Sequence, residues 1–117
     1  MSDRKTIFLD IDGTILEHHD CLERMIQEPP KVLPNVISKL HEWHLKDYYI
    51  ILTTARPEGI RNITEKQLLD VGIYYNQLIM NLPTGSRIVI NDTKPNGTRT
   101  AWAFPVERNI GLGDIEI

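Results

Sequence analysis

The chain has 117 residues, room for one domain with one core, and its 25% charged and 41% hydrophobic residues are ordinary for a globular protein. A net charge of −3 gives no basic footprint for nucleic acid or for an anionic membrane. Cys21 is the only cysteine, which excludes an internal disulfide framework; with no signal-type apolar region and no run long enough to span a bilayer, the expectation is a single cytoplasmic domain over 1–117.

Thr6–Ile11 is a β-branched, apolar run that reads as a buried strand, and Gly13 ends it in a tight turn. Thr14-Ile15-Leu16 continues as a short extended flap. The stretch 17–28 suits a loop or a small hairpin, and Pro29-Pro30 breaks any helix there. From Pro34 the pattern turns helical: Val36, Ile37, Leu40, Trp43 and His44 recur at spacings of three and four, and Lys46-Asp47 closes the helix. Residues 48–53 form a second strand, apolar on both faces as a central parallel strand is. A second helix is expected over 58–70, with Ile60, Ile63, Gln67 and Leu68 near one stripe and Gly72 as its C-cap. Residues 75–80 supply a third extended piece, 83–86 a turn, and Arg87–Asn91 a fourth strand ending at Asp92. The tail after Gly97 is less regular, with Thr100–Phe104 and Pro105–Asn109 suited to a short helix or an extended edge. The alternation implies a mainly parallel sheet with helices on its faces: a three-layer α/β/α, Rossmann-like domain.

The polar residues fall at strand ends. Asp10 and Asp12 follow the first strand, Thr53, Thr54 and Arg56 the second, and Asp92 the fourth. In a parallel sheet the carboxyl ends share one edge, where open α/β sheets bind ligands. Asp10 and Asp12 lie two apart, so they leave the strand in the same direction and repel each other unless a cation lies between them. Hard oxygen donors at this spacing suit Mg²⁺, which takes one or two carboxylates and completes its shell with phosphate oxygens and water. A carboxylate can attack phosphorus, a second acid can move the proton, and a strand-end hydroxyl or a cation can hold the phosphate.

Phe8-Leu9-Asp10-Ile11-Asp12-Gly13-Thr14 resembles motif I (D-x-D-G-T) of the haloacid dehalogenase superfamily phosphohydrolases, Thr54-Ala55-Arg56 resembles motif II, and Asn91-Asp92 resembles the acidic motif IV. The resemblance covers residues 5 to 95. It implies a haloacid-dehalogenase-like phosphatase without a cap domain, acting through an aspartyl-phosphate. Asp10 would be nucleophile and metal ligand, and Asp12 general acid/base with its backbone carbonyl on Mg²⁺. Thr54 would bind phosphate, with Thr53 as runner-up, and Asp92 would complete the metal site. The chain departs from the family where a Lys-Pro pair often follows the third strand: it reads Asn81-Leu82-Pro83, so Lys94 is the candidate replacement, ahead of Arg87 and Lys66. The first acid of motif IV is here Asn91. The spacing leaves no room for a cap, and a capless member takes a bulky substrate or borrows a neighbouring subunit as lid, which makes a homo-oligomer one expectation.

The substrate class implied is a small phosphorylated metabolite such as a sugar phosphate. A phosphatase acting on nucleotides or nucleic-acid ends is the enzyme alternative, disfavoured by the net charge. A degenerate member that binds or assembles without catalysis is the non-enzyme alternative, motivated by the missing lysine. His18, His19, Asp20 and Cys21 read as a polar flap, because no zinc-type partner pair occurs elsewhere. His41 and His44 read as surface residues, Trp43 as core, and Trp102 and Phe104 as packing groups in the tail.

Overall fold

The computed structural model describes residues 3–117. Three strands, β1 (Thr6–Asp10), β2 (Tyr49–Thr53) and β3 (Gln77–Ile79), form an all-parallel sheet in the order β1-β2-β3. Thr6 stands opposite Tyr49 and Asp10 opposite Thr53; Ile51 stands opposite Gln77 and Thr53 opposite Ile79. Helix α1 (Leu22–Gln27) precedes α2 (Val36–Leu45), which links β1 to β2, and α3 (Arg61–Asp70), entered through a 3₁₀ turn at Glu58–Ile60, links β2 to β3. Two right-handed crossovers that step the same way put both helices on one face of the sheet.

Burial follows from that arrangement. Ile7, Leu9, Ile50, Leu52 and Leu78 point to the helical face and are buried with Val36, Leu40, Trp43, Ile60 and Leu68. The alternate residues point to the opposite face, where Phe8 is 58% and Ile79 39% exposed. No helix covers that face among the described residues, so it is an open apolar surface. Along α2 the buried stripe is Val36, Leu40 and Trp43 only, and Ile37 stays exposed. Along α3 the buried residues are Thr64, Gln67 and Leu68, and Ile63 lies outside the stripe. The ambiguous 17–28 stretch resolves into the exposed α1. Its root is tied down: Leu16 bridges to Asp12 and to Val32, and the Leu33 N–H donates to the Ile15 carbonyl.

The fourth strand expected at Arg87–Asn91 is absent from the sheet. These residues form no ladder, and Ile88 and Ile90 are 79% and 93% exposed. They belong to an arm. It departs where the Leu82 N–H donates to the Thr54 carbonyl, turns at Lys94–Gly97, and returns where the Asn109 N–H donates to the Gly13 carbonyl. No residue from Asn81 to Ile110 is buried. The body then closes with Leu112, whose N–H donates to the Pro34 carbonyl and whose side chain joins the core. No described helix is long and apolar enough to cross a membrane.

Candidate active site

The carboxyl edge of the sheet is built as the strand ends foretell. Paired in register, Asp10 and Thr53 end β1 and β2 side by side, and Asp12, Thr54 and Arg56 lie just beyond. Gly13 turns the chain with φ +88°, a value open to glycine at no steric cost. The turn is closed by the Gly13 N–H donating to Leu16 O and by three amides, those of Thr14, Ile15 and Leu16, converging on the Ile11 carbonyl. This fold-back presents the two carboxylates on one side of a rigid loop. The Thr14 hydroxyl donates to Asp10 Oδ2 at 3.1 Å and so orients the first of them.

Asp12 is held by Arg56. The guanidinium donates from Nε to Oδ2 at 2.8 Å and from Nη2 to Oδ1 at 2.7 Å, a bidentate pair. Its remaining nitrogen, Nη1, donates to the Thr64 hydroxyl at 3.1 Å and to Gln67 Oε1 at 2.8 Å. Gln67 in turn donates to the Met25 carbonyl, which ties α1 to the network. The side chains of Arg56 and Asp12 are only 3% and 12% exposed. Thr54 is buried, and its hydroxyl accepts the Arg56 backbone N–H at 3.1 Å, which leaves the hydroxyl proton to donate elsewhere. The Arg56, Thr64, Gln67 cluster was not foreseen from the sequence. Its signal is there: two polar residues three apart on the stripe of α3 that carries Leu68 demand a buried polar partner.

Burial pushes the Asp10 carboxyl above the usual carboxylate range, the Asp12 charge adds to the rise, and the bond from Thr14 and the positive charge of Arg87 oppose it. Arg87, at the root of the arm, is anchored by donating to the Pro83 and Gly85 carbonyls at 2.9 and 2.7 Å. The structure thus brings together Asp10, Asp12 and Thr54. Asp92 and Lys94 are elsewhere, exposed along the arm: the Asp92 carbonyl accepts the Thr100 hydroxyl, and Lys94 acts electrostatically on Asp3, before the start of β1. Among the described residues no three His, Cys, Asp or Glu side chains gather as a metal centre. His18 to Cys21 form no such group either; His19 pairs with Glu28 at 3.5 Å and Cys21 is exposed.

The donors present still suit Mg²⁺. A carboxylate whose charge is disfavoured by burial and by a like neighbour gains from a hard cation, and oxygen donors are the chemistry that cation prefers. Asp10 and the Asp12 main-chain carbonyl would hold one side of such a shell, and Asp92 lies exposed along the arm rather than beside them.

No protein-family model and no curated protein matches the chain. Among solved structures, an MCSG target from Vibrio cholerae superposes with a TM-score of 0.56 over 79% of this chain and 85% of its own, at 18% identity. A D,D-heptose 1,7-bisphosphate phosphatase from B. bronchiseptica, crystallised with magnesium and phosphate, matches with a TM-score of 0.48 at 19% identity; the match covers 65% of this chain and 49% of that one. The Vibrio cholerae protein shares the fold. That shared fold is an open, all-parallel α/β sheet.

Proposed function

We propose that the protein is a Mg²⁺-dependent phosphohydrolase that cleaves a phosphate monoester through an aspartyl-phosphate on Asp10. The observation that carries this reading is the convergence of Asp10, Asp12 and Thr54 on one sheet edge, with Asp12 clamped by Arg56. When bound, Mg²⁺ would neutralise charge on the phosphoryl oxygens.

In the first half-reaction the Asp10 carboxylate attacks phosphorus, and the bond to the leaving oxygen breaks as Asp12 gives that oxygen a proton. In the second, Asp12 takes a proton from water, the water oxygen attacks the phosphoryl group, and the Asp10–phosphate bond breaks to return the carboxylate. The bidentate grip of Arg56 is compatible with this role. Each carboxylate oxygen carries two lone pairs, so a site for the proton remains on Asp12 while the guanidinium fixes its direction. Thr54, with the hydroxyl proton that its bond from Arg56 leaves available, binds a nonbridging phosphate oxygen. Lys94 would supply positive charge to the phosphate and Asp92 would complete the metal's oxygen donors, both carried in by an arm. The substrate is a small phosphorylated metabolite such as a sugar phosphate. Hydrolysis of p-nitrophenyl phosphate with Mg²⁺ by the wild type, abolished by Asp10→Asn and by chelator, is the test. Equal activity in wild type and variant overturns the reading in favour of a binding or assembly module.

A further inference from the structure

The arm presents a contradiction. Arg87–Asn91 has the composition of a strand buried on both faces, yet Ile88, Val89 and Ile90 are 79%, 53% and 93% exposed, and Trp102 and Phe104 on the returning limb are 63% and 48% exposed. The same molecule carries the matching vacancy. β1 is an edge strand with one side unpaired, and it exposes Phe8 on the open face beside it. An unpaired edge and an unpaired strand-forming segment in one chain are the two halves of an exchange. β1 spans Thr6–Asp10, the same five-residue length as Arg87–Asn91, whereas the other edge, β3, spans only Gln77–Ile79.

Direction decides between the chain's own arm and that of a second copy. Only seven residues, 80–86, separate the end of β3 from Arg87, fewer than the dozen or so that a crossover between parallel strands needs. The chain's own Arg87–Asn91 segment therefore cannot join its own β1 as a parallel strand that ends with Asp92 beside Asp10. The arm of a second copy is under no such connection limit and can lie parallel to β1. With Arg87 opposite Thr6 and Val89 opposite Phe8, the residue that follows the partner's strand arrives beside Asp10.

We propose that two copies of this chain exchange their 83–106 arms, the Arg87–Asn91 segment of each joining the free edge of β1 in the other as a parallel strand and delivering Asp92 of the partner subunit to the Asp10 site. Trp102 and Phe104 then cover the open sheet face around Phe8. Burying these side chains in both copies removes roughly 1,500 Å² from water, within the range of stable interfaces. The exchange stands without any enzymatic reading; the sharing of the site rests on the phosphatase proposed above.

Light scattering on the wild type at tens of micromolar should give twice the chain mass. Ile88→Lys/Ile90→Lys should give a monomer with an unchanged circular dichroism spectrum, since both positions are exposed in the single chain. A wild-type monomer, or a dimer indifferent to the two lysines, overturns the exchange. In a Cys21→Ser background, Phe8→Cys/Val89→Cys should oxidise to a covalent dimer, and its failure to do so overturns the register. Asp10→Asn and Asp92→Asn, each inactive alone, should regain roughly a quarter of wild-type hydrolysis when refolded together, because half of a random mixture is heterodimer and one of its two sites is whole. No recovery from an active wild type overturns site sharing. A cross-linked, lysine-sensitive dimer that hydrolyses nothing upholds the exchange and overturns the phosphatase reading alone.

Discussion

Arg56 grips Asp12 with two parallel hydrogen bonds, 2.8 Å from Nε and 2.7 Å from Nη2, in a setting where both side chains are almost wholly buried. The pair joins the turn after β1 to the turn after β2, and through Thr64 and Gln67 it joins both to α3. Removing one partner of a buried ion pair leaves the other uncompensated, at a cost of about 3–5 kcal/mol. Arg56→Ala should lower unfolding stability by that order in urea melts. Arg56→Lys keeps the charge but has no fork to reach Asp12, Thr64 and Gln67 together. It should retain more stability than the alanine variant yet lower kcat by about tenfold or more with little change in KM, because Asp12, the proposed proton carrier, loses its direction.

Asp10→Asn should abolish hydrolysis of p-nitrophenyl phosphate, with kcat falling by at least about 10³-fold, as loss of an attacking group does. Mg²⁺ should raise the melting temperature of the wild type and leave that of Asp10→Asn nearly unmoved. The second readout does not depend on turnover, and an equal shift in both proteins would remove Asp10 from the metal site.

The raised pKa of Asp10 has a consequence for stability in chelator-treated protein. A carboxyl raised in the folded state stabilises the fold fully only below its unfolded pKa, about 3.9, and that contribution is lost as pH rises through the folded value. Asparagine mimics the neutral acid at every pH. Asp10→Asn should therefore melt higher than wild type at pH 7, and the gap should close as pH falls to about 3.5. A gap that is constant with pH would mean that burial does not disfavour the Asp10 charge.

Two cations, Lys94 and Arg87, are candidates to hold the phosphate of the proposed reaction. If Lys94 serves it, Lys94→Ala should lower kcat/KM by about 10²–10³-fold, in the range seen when one electrostatic stabiliser is removed. Near-normal turnover would pass the role to Arg87, whose charge already reaches Asp10 in the single chain, and Arg87→Ala should then carry the loss.

The strand ends were legible because local pattern decides them: a β-branched run, a glycine and two acids specify β1 and its turn with no distant information. The same holds for α2 and β2. Ile63 and Thr64 show where the pattern stops. Hydrophobicity favours Ile63 on the buried stripe of α3, but Arg56 requires hydroxyl and amide acceptors, so Thr64 and Gln67 turn inward and Ile63 turns out. A buried guanidinium forty-four residues away from its aspartate is a tertiary fact, invisible to periodicity. Arg87–Asn91 marks a second limit. Its composition reads correctly as strand material, but composition does not state which edge, or whose, the strand will meet.

The placement of the arm bears on how such a chain can change over time. Between Asn81 and Ile110 no side chain is buried, and both roots of that segment are fastened by main-chain bonds, Leu82 to Thr54 and Asn109 to Gly13. Substitutions within it leave the hydrophobic interior of the body untouched, so folding exerts little restraint there. Asp10 and Asp12 sit on the part of the chain that selection for stability holds still, while the arm answers to whatever it meets outside its own body, and with it the ligands and surfaces the molecule can acquire.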